Sequence, residues 1–288
     1  MFDLLANAIV AGLLLGGFYA AVTMGLSVAF GMLDIVNIAH PAFVVASAFI
    51  VYAVNAAWGL DPILAGILLA PAFFLLGLAI HRIYYASFER RAKESLRGLA
   101  FFFGLLFITE VALILAFGVD YRLVETPYLR TSFALAGIGF PMRLVIPFLV
   151  SLAMLLLLQT LLDRTFFGRA VKAVAQDPQA LRLVGADPVR VKALGFALAV
   201  ATTSIAGALL IVIAPVEPAV GRDYIGRVFA ICVLGGMTSL PGTWLAGLVL
   251  GVAESLTATF YGPSWSPAVA FGILLLVLAL RPAGLLGR

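Results

Sequence analysis

Charged side chains are scarce in this sequence. Lys and Arg number 18 and Asp and Glu 14 among 288 residues, 11% in all, against 64% apolar residues. A soluble domain carries about a quarter charged residues, so a water-facing surface of ordinary size cannot be built. A soluble enzyme and a nucleic-acid-binding domain are both excluded, and the net charge of +4 reads as a membrane topology signal rather than a phosphate-binding footprint. Intrinsic disorder needs low hydrophobicity, and the mean hydropathy here is +1.15. Cysteine is limited to Cys232, which removes any intramolecular disulfide and any cysteine metal site. His40 and His81 are too few for most metal centres. Also missing are a G-x-x-x-x-G-K-S/T phosphate loop and a G-x-S-x-G nucleophile elbow.

What the sequence does have is long uncharged runs. Residues 4–33, 35–60, 62–81, 144–162, 193–216, 228–253 and 255–280 contain no Asp, Glu, Lys or Arg, and 98–119 contains one acid, Glu110. A spanning helix needs about 20 apolar residues. No ten-residue stretches of alternating polarity suggest a barrel. The expected fold is all-α, a polytopic membrane helix bundle of eight to nine segments, some of them broken. Gly235-Gly236 and Pro241-Gly242 interrupt 228–253, which holds one span or two shorter pieces. No large extramembrane domain fits, so 1–288 is a single transmembrane domain.

Basic residues orient the bundle. Loop 82–98 holds Arg82, Arg90, Arg91, Lys93 and Arg97, loop 163–192 holds Arg164, Arg169, Lys172, Arg182, Arg190 and Lys192, and the tail adds Arg281 and Arg288. Both loops and the C-terminus are expected to be cytoplasmic. The first 81 residues contain no Lys or Arg, which places the N-terminus outside and argues against a cleaved signal peptide. Loops 119–143 and 215–227 are near neutral and read as the opposite side.

Within the runs a few polar residues stand out. Glu110 and Glu254 lie deep in apolar segments, where a charge costs about 2.5–3.5 kcal/mol on insertion scales. Each is either hydrogen-bonded to a neighbouring helix or subunit, or lines a wet path that meets a substrate amino group. Asn37 and His40 precede Pro41, and Thr238 and Ser239 precede Pro241. If both helices begin within the membrane, their positive ends face a substrate carboxylate; His40 as a helix cap is the plainer alternative. Pro41–Ala46 over Pro241–Ala246 is a faint repeat at an offset of 200. Gly12-Leu-Leu-Leu-Gly16 and Gly247-Leu-Val-Leu-Gly251 have the small-xxx-small spacing that lets helices approach closely. Thr202, Thr203 and Ser204 are expected to bond back to their own helix carbonyls.

Loop 163–192 is the most informative segment. Asp177-Pro178 starts a helix of about seven residues that Gly185 stops, Asp187-Pro188 repeats the start signal, and Gly168–Ala175 forms another short helix. Helices this short need a partner or lipid to hold them. An amphipathic loop on anionic headgroups is one reading. A docking element for a cytosolic subunit is the other, and Ala170, Ala173, Ala175, Ala180, Gly185 and Ala186 favour it by permitting close backbone approach.

Residues 165–210, from Thr-Phe-Phe-Gly-Arg-Ala through Ala-Gln-Asp-Pro-Gln-Ala-Leu-Arg-Leu-Val-Gly, resemble the EAA-type region of the membrane permeases of branched-chain amino acid ABC importers, LivH type. Leu15-Gly-Gly-Phe-Tyr-Ala-Ala, Met24-Gly-Leu-Ser-Val-Ala-Phe-Gly, Val36-Asn-Ile-Ala-His40, Val233-Leu-Gly-Gly-Met-Thr-Ser-Leu-Pro-Gly-Thr, Glu254 and the tail from Leu280 extend the resemblance over most of the chain. Departures from the family pattern are Pro41 after His40 and Gln179 before Ala180. The resemblance implies a permease subunit that is not itself an enzyme and binds no cofactor. ATP and Mg belong to two cytosolic ATPase subunits. A second permease subunit of LivM type and a periplasmic substrate-binding protein complete the importer, in a bacterial inner membrane. ATPase coupling falls to Gly168, Arg169, Ala173, Asp177, Pro178, Gly185, Asp187 and Arg190, and a translocation path to Asn37, His40, Glu110, Ser239 and Glu254. Urea or short amides are alternative cargoes in the same family. An ion-coupled secondary transporter would leave the basic, small-residue loop unexplained, and an intramembrane hydrolase lacks a catalytic motif.

Overall fold

The computed structural model describes residues 1–88, 95–135, 137–280 and 284–286. Arg90, Arg91 and Lys93 of the first basic loop, and Arg281 and Arg288 of the tail, lie outside the described residues. The helices are α1 (Phe2–Leu26), α2 (His40–Trp58), α3 (Pro62–Ser87), α4 (Ser95–Phe117), α5 (Met142–Arg164), α6 (Phe166–Gln176), α7 (Pro178–Leu183), α8 (Pro188–Ile213), α9 (Gly221–Gly235), α10 (Leu240–Phe260) and α11 (Ser266–Leu280). Two short antiparallel strands, β1 (Ser132–Leu135) and β2 (Ile138–Pro141), add a hairpin between α4 and α5.

Among the described residues, eight helices are long and apolar enough to cross a membrane: α1 with the π-helical turns Ser27–Met32 that continue it, α2, α3, α4, α5, α8, α10 and α11. The ninth segment is α9. Its 15 residues reach only about 22 Å, short of the ~30 Å hydrocarbon core. The break in 228–253 falls where Gly236 adopts φ 89° between α9 and α10. This separates the run into the two shorter pieces that its glycines and proline allow.

Start signals act as their chemistry requires. Asp61 caps α3, its Oδ1 accepting from the N–H groups of Ile63 (2.9 Å) and Leu64 (3.2 Å), and its other oxygen accepts from the Tyr128 hydroxyl. Burial and the Asp61 hydrogen bond push that phenol up to about 12. Pro41 and Pro241 both occupy the second residue of their helices, so the two members of the faint repeat mark equivalent helix starts.

Small residues set the packing. The two small-xxx-small motifs face each other in antiparallel order. A Cβ on Gly16 would stand 2.6 Å from the Gly247 carbonyl oxygen, and one on Gly251 would stand 2.4 Å from the Gly12 carbonyl oxygen. On the other side, α3 lies on α8 through Gly66 and Gly77, whose Cβ atoms would come within 2.5 Å of Ala208 and 2.7 Å of Ala197. α8 also meets α2, where a Cβ on Gly207 would lie 2.3 Å from the Val44 oxygen, and Ser47 Oγ donates to the Ser204 carbonyl (2.8 Å). The centre is therefore α1, α2 and α8, closed on one flank by α10. α4, α5 and α11 turn large apolar side chains outward, Leu115, Leu156, Leu157 and Leu275 among them, as lipid-facing helices do. Thr202, Thr203 and Ser204 donate to Ala199, Val200 and Ala201 carbonyls (2.6–2.8 Å), as expected.

Gly16→Leu should therefore force α1 and α10 apart, at about 1–3 kcal/mol or more. Gly104→Leu or Gly272→Leu, where nothing lies within 4 Å of the new Cβ, should leave stability unchanged. Thermal unfolding of the detergent-solubilised protein separates the two groups.

Candidate functional site

The first polar centre lies where α2 begins. After the π-helical turns the chain reverses at Asp34, which takes φ 58°, and climbs back along α1. His40 Nε2 lies 3.0 Å from the Val22 carbonyl oxygen, in the last turns of α1 and well before the end of the π-helical turns that continue it. A Cβ on Gly25 would meet Thr202 Oγ1, the Ala199 oxygen and His40 Cε1 within 2.8 Å. Ala199 and Thr202 are themselves mid-helix in α8. So α2 starts inside the bundle, as the condition attached to Asn37 and His40 demands. His40 bonds across to α1 and is not the cap of its own helix.

The second centre is α9. Residues 215–227 read as an outside loop in the sequence, and here the structure corrects the expectation. Arg222 and Arg227 project from a helix packed within the bundle, because each finds a carboxylate there. Arg222 Nε donates to Glu110 Oε2 (2.8 Å), its Nη2 bonds the other oxygen, and the guanidinium covers the Phe107 ring at 4.9 Å. Arg227 Nε donates to Glu254 Oε1 (2.9 Å), and the Tyr19 hydroxyl donates to Oε2 (2.6 Å). Tyr224 packs beside Phe18 and Tyr19 around this node. Glu110 and Glu254 are thus paired and hydrogen-bonded, the first of the two alternatives the sequence left open. The pairs differ in exposure: the Arg227 side chain is 17% exposed and that of Arg222 49%.

The third centre is at the end of the bundle where α10 begins, next to α6. Ser239 caps α10, its Oγ accepting from Gly242 N–H (3.1 Å). It lines a cavity of about 520 Å³ together with Gly31, Gln159, Lys172 and Gln176. The π-helical turn lies directly on the break between α9 and α10, since a Cβ on Gly31 would fall 1.7 Å from the Met237 oxygen. Just inside, Ser27 Oγ shares a hydrogen bond with Thr243 Oγ1 (2.8 Å) and donates to Cys232 Sγ (3.4 Å). Ser239 thus supplies one N–H of the α10 start with a partner from within the chain, while the same residue faces the cavity.

The cavity connects to the short helices. Thr165 caps α6 by accepting from Gly168 N–H (3.0 Å), and Asp177 caps α7 by accepting from Gln179 (2.8 Å) and Ala180 (3.0 Å). Asp187 caps α8 through Val189 (3.0 Å) and pairs with Arg190 (3.4 Å). α7 is six residues long and Gly185 follows it at φ 82°, while α6 is longer than the Gly168–Ala175 expected. Arg169, Asp177, Pro178, Gly185, Asp187 and Arg190 are exposed. Gly168 and Ala173 are not free for docking in the same way. A Cβ on Gly168 would strike Leu162 Cα at 2.3 Å, and Ala173 packs half-buried on the core. Ala170 is buried too. Part of the small-residue pattern therefore serves packing against α5, leaving Ala175, Ala180 and Gly185 outside. The exposed tip is apolar, with Leu183 89% and Val184 77% exposed.

The family model described as "branched-chain amino acid transport system / permease component" matches residues 8–278. The chain belongs to this permease family. It is 30% identical to the high-affinity branched-chain amino acid transport system permease protein BraD of Pseudomonas aeruginosa, over 97% of this chain and 95% of that one. It is 31% identical to LivH of Escherichia coli, over 96% and 94%, and 27% identical to LivM of the same organism, over 93% of this chain and 67% of LivM. No solved structure matches. The permease is thus a multi-pass membrane protein.

Sequence reasoning missed three members of these centres. Tyr19 carries no positional signal, and Arg222 and Arg227 were assigned to water by their charge. An acid in each of two apolar runs, with two arginines in a short segment of no net charge, was the available sign of pairing.

In the permease, Glu254→Ala should leave the buried Arg227 without its carboxylate and cost about 3–5 kcal/mol. Glu254→Leu combined with Arg227→Met should recover much of that loss. Glu110→Ala should cost less, because Arg222 is half exposed. Thermal unfolding of the three variants in detergent checks the order.

Proposed function

We infer that the permease is the membrane-spanning subunit of a binding-protein-dependent ABC importer that carries branched-chain amino acids inward. The observation that carries this reading is the α6–α7 element. It is a capped, basic pair of short helices that ends in exposed Leu183 and Val184, a tip for a protein groove rather than for water. The chain has no phosphate loop of its own, so ATP and Mg act on two cytosolic ATPase subunits that receive this tip. The permease itself performs no catalysis and binds no cofactor. A match to both LivH and LivM supports pairing with a second, related permease of LivM type. A periplasmic binding protein delivers the amino acid to the outer face. The basic segments place loop 163–192 and the C-terminus in the cytoplasm and the N-terminus outside, in a bacterial inner membrane, with no nucleic-acid partner. Closure of the ATPases on nucleotide presses the tip toward the cavity that Gln159, Lys172, Gln176 and Ser239 line, where α9 breaks into α10.

Leu183→Glu with Val184→Glu should lower ATP-driven uptake at least tenfold and release the ATPases from the purified complex, while membrane insertion is unchanged. Uptake at the wild-type rate, at equal expression, defeats the docking assignment. Gly185→Trp should also lose uptake, but at φ 82° any side chain is strained, so the leucine and valine variants are the cleaner measurement.

A further inference from the structure

One helix begins in the middle of this bundle. α2 starts level with Val22 of α1 and Thr202 of α8. α9 continues directly from the 3₁₀ turn Pro218–Val220 and passes against that start: a Cβ on Gly221 would stand 3.3 Å from Ala42 Cα and 3.4 Å from the Ala42 nitrogen. Helices α3, α6, α7, α8 and α10 each begin with a side-chain cap. α2 does not, because Ala39 holds its cap position. In its first turn His40 N–H reaches the Asn37 carbonyl (3.3 Å), Phe43 N–H reaches that of Ala39 (3.1 Å) and Pro41 has no N–H, which leaves Ala42 N–H as the donor. A helix start carries a partial positive charge, hydrocarbon offers it nothing, and it favours an anion.

A separate observation points the same way. Asn37, three residues ahead of α2's first residue, is fully buried, and neither its Oδ1 nor its Nδ2 has a partner among the described residues. His40, also fully buried, leaves Nδ1 without one. Its Nε2 faces a carbonyl oxygen, which can only accept, so in the neutral ring Nε2 carries the hydrogen and Nδ1 presents a lone pair. Native interiors rarely leave such groups unmatched. Together, the Asn37 amide N–H and the start of α2 donate, while Asn37 Oδ1 and His40 Nδ1 accept. That set matches a carboxylate beside an ammonium.

We propose that the start of α2, with Asn37 and His40, binds the zwitterionic head group of an α-amino acid during its passage. The proposal rests on the amino-acid transport reading and assigns that cargo a place. Glu110 and Glu254 are occupied by Arg222 and Arg227 and are not needed for it.

The test uses the complete importer, reconstituted in proteoliposomes with its ATPases and binding protein, and radiolabelled leucine. Asn37→Asp puts the protein's own carboxylate at the start of α2. Uptake should fall about tenfold or more, while the thermal stability of the complex is retained or rises. A second measurement needs no variant: competition against leucine bound to the wild-type complex without its binding protein. Leucinamide lacks the carboxylate and 4-methylpentanoate lacks the ammonium, so each should compete at least tenfold more weakly than leucine. Wild-type uptake by Asn37→Asp, or leucinamide competing as well as leucine, overturns the site alone. Absence of amino-acid uptake by the wild-type importer overturns the transport reading and the site with it.

Discussion

The architecture hangs on two backbones that touch. Between α1 and α10, Gly12 and Gly16 lie against Gly247 and Gly251 with no room for a single methyl group. In lipid there is little hydrophobic gain from bringing helices together, so close packing of bare backbone supplies the attraction. This contact holds Tyr19 on α1 beside Glu254 on α10, and it holds Ser27 beside Thr243. The short helix α9 can then be enclosed, its arginines reaching fixed carboxylates on either side. Remove the contact and the broken segment loses the wall it is built against.

The polar groups inside the bundle divide into two kinds. Arg227, Glu254 and Tyr19 satisfy one another, as buried charge must. Ser27, Thr243 and Cys232 do the same at lower cost, through neutral hydrogen bonds. Asn37 and His40 belong to the other kind, buried with capacity unused. The contrast matters because both kinds occupy the same apolar setting. Solvation alone would have treated them alike, and the difference lies in which neighbours the fold supplies.

Much of the architecture was legible in the sequence because membranes make it so. The uncharged runs mark the spans, since length and apolarity are the physical requirement for crossing. Asp177, Gly185 and Asp187 mark the short helices, since caps and a left-handed glycine are local chemistry. The site was less legible. A charge was taken to mark water, and Arg222 and Arg227 broke that rule because their partners sit on α4 and α10, far away in the chain. A 15-residue helix falls below the length by which spans are recognised. The Pro41 and Pro241 starts look alike in sequence, yet Ser239 supplies a side-chain cap to one and Ala39 supplies none to the other. What packs against each start depends on the tertiary fold.

The turn at Gly185 also has a mechanical meaning. Ala186 N–H donates to the Leu181 carbonyl (3.2 Å) and Gly185 N–H to that of Arg182 (3.0 Å), so α7 is strapped to the turn that precedes α8. From its cap at Asp187 onward, α8 runs unbroken past Thr202, beside His40. A force applied at Leu183 thus finds no soft joint along this helix before the centre of the bundle. α8 is stiff along its axis for roughly 20 Å, so one rigid element joins the exposed tip at Leu183 to the buried start of α2.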